Sequence, residues 1–95
     1  MRVISIGRIR EFIEEHPESE RMLLAWHTAI RSGTWRNFPD LKNTFGNADL
    51  VGRRTVFDIM NNRYRLIARV NYRTKTVFVL HILTHKEYDK GDWKK

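Results

Sequence analysis

From Arg63 to Arg73 apolar and polar residues alternate with a period of two. Tyr64, Leu66, Ala68, Val70 and Tyr72 share one face, and Arg63, Arg65, Arg69 and Arg73 share the other. That pattern predicts a half-buried strand with an apolar back and a cationic front. The next apolar run repeats it less cleanly, with Phe78, Leu80 and Ile82 on one side and Val77, Val79, His81, Leu83 and His85 on the other. Thr55 to Ile59 reads as a further strand, Asn61-Asn62 as a tight hairpin turn into the arginine strand, and Arg73-Thr74-Lys75 as a second turn. Arg2 to Ser5 is short and partly β-branched and reads as a first strand.

Between these strands the period changes. Ile6, Ile9, Phe12 and Ile13 mark one face of a helix that Ser5 is placed to cap, and Pro17 ends it by disfavouring α geometry at His16. A second helix starts at Pro17, with Glu18 and Glu20 complementing its dipole. It carries Leu23, Trp26 and Ile30, flanked by Met22, Ala25 and Ala29, and stops at Gly33. The two helices form a hairpin whose apolar faces need the sheet as a cover. Thr34 to Gly52 reads as a connector with one helical turn from near Pro39-Asp40 to Phe45. Trp35, Phe38, Leu41 and Phe45 pin it to the core, and Asn47-Ala48-Asp49 and Gly52 are turn residues. Thr84-His85-Lys86-Glu87 matches a capping box, which predicts a short terminal helix.

Length and charge sharpen this picture. Ninety-five residues with 41% hydrophobic content suffice for one modest core, so a single domain over residues 1–95 is expected. Residues 1–50 hold seven Lys/Arg and seven Asp/Glu; the whole net charge of +7 therefore sits in residues 51–95, where eleven Lys/Arg face four Asp/Glu. This asymmetry favours a polyanionic partner over a merely solvated basic face. Without cysteine there is no disulfide, thiolate metal site or cysteine nucleophile. Met1 to Ser5 lacks an apolar signal core, and the apolar run from Val77 to Leu83 is broken by His81. Neither secretion nor a membrane span is expected, and the cytoplasm is the default location.

Several chemistries drop out. His81 and His85, four residues apart on a strand, would be roughly 13 Å apart, too far to share one ion; no metal site and no cofactor is expected. The five glycines are scattered, and no serine follows Gly33, so neither a phosphate loop nor a serine triad is supported. The tail offers more. On a helix starting at Thr84, Tyr88 and Asp89 lie three and four residues beyond His85, the spacing at which side chains meet. A carboxylate beside an imidazole orients the ring and favours its charged form, which makes His85 a candidate proton donor or acceptor. RNA carries its own nucleophile, the 2′-hydroxyl, so cleavage needs a base, an acid for the departing 5′-oxygen and cations for the phosphorane. Arginine, with its planar fork, suits the last task.

Val56-Phe57-Asp58-Ile59 with Asn62-Arg63-Tyr64-Arg65-Leu66-Ile67, followed by Thr84-His85-Lys86-Glu87-Tyr88-Asp89, resembles the HigB family of toxins within the RelE superfamily. The likeness extends to the His16-Pro17 break and the Ala25-Trp26 helix, and it is most specific in the tail. The resemblance implies an α+β, RelE-like fold: a mostly antiparallel sheet backed by an N-terminal helical hairpin, with a short C-terminal helix and RNA on the open face. It also implies a type II toxin that cleaves messenger RNA on the ribosome and is held inactive by a HigA-type antitoxin. Carried over by position, His85 and Tyr88 fall in the catalytic tail and Arg65 and Arg69 in the phosphate-binding strand. Arg63, Arg73, Lys86 and Lys90 are candidate RNA contacts, and Lys94 and Lys95 add general attraction. Asp58 departs from the family pattern, where asparagine is expected. Two other readings fit the same residues: a non-catalytic RNA-binding module, and a protein-binding subunit whose basic face docks an acidic partner.

Overall fold

The computed structural model describes residues 1–94; Lys95 lies outside the described residues. In chain order the elements are β1 (Arg2–Ile4), α1 (Ile6–Glu15), a 3₁₀ turn (Pro17–Ser19), α2 (Glu20–Ser32) and α3 (Phe38–Thr44). They continue with β2 (Asp49–Val51), β3 (Arg54–Ile59), β4 (Tyr64–Asn71), β5 (Thr76–Thr84), α4 (His85–Lys90) and a closing 3₁₀ turn (Asp92–Lys94). The strands form one sheet in the order β1-β5-β4-β3-β2, antiparallel except for the parallel pair β1 and β5. This is the α+β arrangement expected from the sequence. No helix among the described residues is long and apolar enough to cross a membrane.

The core lies between the helices and one face of the sheet. Ile9 and Phe12 of α1 and Leu23, Trp26 and Ile30 of α2 close over Phe57, Ile59, Tyr64, Leu66, Ala68, Val77 and Val79. Leu23, Ile30, Leu66 and Val77 are wholly enclosed, and at about 1.5–3 kcal/mol for each large aliphatic side chain this burial is what holds the hairpin on the sheet. The connector is pinned as expected. Trp35 and Leu41 are buried, Phe45 packs edge-on against both Trp35 and Phe57, and the Asn37 side chain accepts from the Asp40 amide to start α3.

Four local expectations change. Ser5 precedes α1 but has a left-handed backbone (φ 72°, ψ 39°) and makes no side-chain cap bond, because that bond needs an extended residue at the cap. The hairpin turn before β4 takes in Met60 as well as Asn61 and Asn62, all at positive φ. Asp49–Val51, expected to lie in the connector with Asp49 as a turn residue, pairs with β3 as a short edge strand. Gly33 does end α2, but with an extended backbone (φ −116°, ψ 172°) rather than a left-handed one. Its lack of a side chain serves packing: a Cβ there would lie 2.6 Å from the Trp35 ring. Gly33→Ala is therefore expected to cost about 1–3 kcal/mol by overpacking, seen as a lower urea midpoint with an unchanged slope.

Candidate nucleic-acid interface

The register decides which side chains face away from the helices. Val56 opposite Ile67 and Asp58 opposite Arg65 fall on the open face, while Thr55, Phe57, Tyr64, Leu66 and Ala68 fall on the helix face. Along β5 the partners step from His81, opposite Ile67, to Val79, opposite Ala68, leaving Leu80 unpaired. This bulge shifts the alternation by one residue. Val77, Val79 and Ile82 consequently all pack towards the helices, and Phe78, His81 and Leu83 lie in register with Arg69, Ile67 and Arg65. The two sides expected for β5 from strict alternation are corrected accordingly, and the untidy pattern of that run has its physical cause.

Arg65 is fixed from two directions. Its Nη1 lies 2.7 Å from Asp58 Oδ1, a close ion pair whose N–H is not aligned as a hydrogen bond, and both side chains are mostly buried. Its guanidinium also stands 5.3 Å from the centre of the Tyr88 ring, a cation–π distance. Tyr88 in turn stacks on Trp93 (centroids 5.0 Å, 16° between planes), and the Trp93 indole N–H donates to the Tyr88 carbonyl at 3.0 Å. Trp93 is only 4% exposed and closes over Val56 and Ile67, with Val51, Leu83 and Tyr88 around it. The arginine front is therefore interrupted: Ile67 shares that face and is completely buried under the tail. Sequence reasoning passed over Trp93, whose signal was a large aromatic just beyond a glycine stop.

The tail helix starts as its residues dictate. Thr84 Oγ1 accepts from the Glu87 amide at 3.2 Å and the Glu87 carboxylate accepts from the Thr84 amide at 3.0 Å, both arms of the capping box. Gly91 ends the helix with a left-handed backbone, φ 76°. The His85 amide donates to the Arg63 carbonyl at 3.2 Å, tying the helix start to the end of β4. His85 Nε2 lies 3.6 Å from Asp89 Oδ2, on an exposed flank. The His85–Asp89 pairing expected from spacing is present, whereas Tyr88 turns to Arg65 and Trp93.

The remaining basic residues separate. Arg69 lines a cleft of about 550 Å³ with Arg53, Arg54, Lys94, Val51, Gly52, Leu80 and Trp93. Arg53 and Arg54 were not singled out from the sequence, although an arginine pair in the basic half was a usable signal. Arg63 and Arg73 sit in turns rather than on the strand face, since β4 spans only Tyr64–Asn71; Arg73 is at the end of the sheet away from His85. Lys86 and Lys90 are exposed on α4, and Lys90 borders a smaller cleft with His81, Glu87, Asp92 and Trp93. Burial, reinforced by Arg8 and Arg54, pushes the His81 pKa below its ordinary value. No group of three or more His, Asp or Glu side chains able to hold a metal ion occurs among the described residues.

Behind the tail, on the helix face, Tyr64 buries its ring and donates its hydroxyl to Glu18, with His16 Nδ1 3.5 Å from the same oxygen and stacked on Phe12. That bond holds the Glu18 carboxyl below its usual range and pushes the Tyr64 phenol up. Thr84, the cap of α4, is the cross-strand partner of Tyr64, so this contact braces the corner from which the tail departs.

Comparison with known proteins fits this geometry. Residues 19–91 match a family described as HigB toxin, the RelE-like toxic component of a toxin-antitoxin system. The mRNA interferase toxin HigB of Escherichia coli strain K12 is 26% identical over 92 residues, covering 94% of this chain and 88% of that protein. The mRNA interferase HigB of Escherichia coli O6:H1 is 30% identical over 93 residues, covering 95% of this chain and 90% of that protein. With the match running through both the helical hairpin and the tail, this chain belongs to the HigB family of RelE-like toxins.

Proposed function

We propose that this toxin is an endoribonuclease that cleaves messenger RNA on the ribosome in the cytoplasm, without a metal, by attack of the 2′-hydroxyl on the adjacent phosphate. The products are a 2′,3′-cyclic phosphate and a 5′-hydroxyl. The observation that carries this reading is the Arg65 guanidinium, held by Asp58 and Tyr88 on the open face, at the sheet end from which a fully capped helix projects His85. A cation fixed in advance is what a phosphorane needs, because no reorganisation is spent as charge develops.

In this scheme Arg65 holds the scissile phosphate and His85 donates the proton to the 5′-oxygen, with Asp89 orienting the imidazole. Tyr88 lies beside the same phosphate. With Trp93 stacked on its ring and Arg65 close to it, the geometry favours a hydroxyl that helps take the 2′-proton over a ring that stacks on a base. Arg65 and Arg69 are four strand residues apart, about 13 Å, so they hold different phosphates of one strand. Lys86, Lys90, Arg63 and Arg73 supply longer-range attraction to RNA. A HigA-type antitoxin is the partner that silences the toxin.

The test is a translating in vitro reaction on a defined messenger RNA with the 3′ ends mapped. Discrete cuts bearing cyclic phosphate are expected from wild type. His85→Ala is expected to slow them by about 10²-fold, the lower end of what general acid–base help supplies. If wild type binds RNA and leaves it intact with ribosomes present, the protein is a binding module and the catalytic reading fails.

A further inference from the structure

The cleft around Arg69 lies away from the bond that is cut, and it is built in a particular way. Arg53, Arg54, Arg69 and Lys94 supply four cations and, among the described residues, no carboxylate lines it; Val51, Leu80 and Trp93 supply an apolar floor. The Leu80 side chain reaches this floor from the unpaired bulge position of β5. Arg54 Nη1 donates to the Lys94 carbonyl at 3.4 Å, which ties the two walls together, and Lys94 Nζ stands 5.5 Å from the centre of the Trp93 ring. A volume of about 550 Å³ falls within the range of small-molecule sites. An apolar floor under a cationic rim suits a ligand with a flat apolar part and an anionic part, which is the chemistry of a nucleotide.

We infer that this cleft is a second nucleotide subsite, which takes one base and its phosphate from the RNA strand at a distance from the cut. The inference rests on the endoribonuclease reading, which makes RNA the ligand of this face. Position supports the strand over a free nucleotide. Arg69 shares β4 and its open face with Arg65, so a strand seated on Arg65 and running along β4 arrives at the cleft about 13 Å away. Trp93 serves both places, with Tyr88 stacked on it at the cut and the cleft beside it. The subsite thereby sets how much RNA the toxin grips, and its arginines favour a phosphate through bidentate hydrogen bonds.

The experiment measures binding of a 2′-O-methyl RNA octamer, which lacks the attacking hydroxyl, by fluorescence anisotropy across a salt series. Arg53→Ala/Arg54→Ala is compared with Arg21→Ala/Arg31→Ala, which removes the same charge from exposed positions on α2. The first pair is expected to weaken the octamer at least tenfold and to flatten the salt slope by about 0.7, the value for one phosphate contact on a single strand. The second pair is expected to change affinity less than twofold. Lys94→Glu, on the opposite wall, is a second variant expected to weaken the octamer as well, and thermal midpoints check that each variant is folded. Equal losses from the two arginine pairs would reduce the cleft to general attraction and overturn the inference. Octamer binding that ignores Arg53, Arg54 and Lys94 would overturn it while leaving the endoribonuclease reading standing. Failure of wild type to bind the octamer would overturn the inference, while the translating reaction decides the endoribonuclease reading separately. Adenosine 5′-monophosphate is titrated in parallel; saturable binding lost in Arg53→Ala/Arg54→Ala, with the octamer unaffected, would assign the cleft to a free nucleotide instead.

Discussion

Arg65→Ala is expected to lower the cleavage rate by about 10²–10³-fold, the cost of removing one preorganised donor from a site where charge develops. The same substitution leaves Asp58 mostly buried without its counter-charge, which is expected to lower stability by about 1–3 kcal/mol. The two effects separate with a second change. Arg65→Ala combined with Asp58→Asn removes the stranded carboxylate, so it is expected to regain most of the lost stability and none of the rate. Arg65→Lys keeps the charge but loses the planar fork that reaches Asp58 and a phosphate together, and its rate is expected to fall between the two. Mapping 3′ ends in the translating reaction reads the rate, and urea unfolding reads the stability. Recovery of cleavage in the double variant would remove Arg65 from the reaction.

Trp93→Ala carries the largest expected loss of stability. A nearly buried tryptophan truncated to alanine costs about 3–5 kcal/mol, and at roughly 4–8 °C per kcal/mol for a domain of this size the melting temperature should fall by more than about 12 °C. The loss is expected to be local in origin, because Trp93 closes the small open-face core over Val56 and Ile67 and supports Tyr88. Hydrogen exchange should therefore show amides of α4 losing protection before those of β4. Trp93→Phe keeps an aromatic surface against Tyr88 but loses the bond to the Tyr88 carbonyl, and a smaller drop is expected. A melting temperature within a few degrees of wild type in Trp93→Ala would show that the tail is not anchored by this residue.

The parts of this molecule that were legible in the sequence are those fixed by local rules. The capping box at Thr84 and Glu87 formed with both bonds, the helical hairpin broke at His16-Pro17, and the alternation along β4 held because one face meets the core. What escaped depends on partners distant in sequence. Asp49–Val51 has too few residues to show a period and is a strand only because β3 is beside it. The regular alternation assumed for β5 cannot reveal an inserted residue. Trp93, Arg53 and Arg54 gain their meaning from one another and from Leu80, which the fold gathers from separate segments. Asp58, noted only as a departure from a family pattern, proved to be the ion-pair partner that positions Arg65.

The unpaired Leu80 has one more consequence. It puts the two halves of β5 out of phase, so a single strand can turn Val77 and Val79 inward and then deliver His81 and Leu83 to the opposite side. Were Leu80 paired in regular alternation instead, His81 and Leu83 would face the helices. The face to which β5 delivers its last residues before α4 is thus set upstream, where the bulge absorbs one residue. Changes within His85 to Lys90 lie beyond the bulge and leave that register as it is.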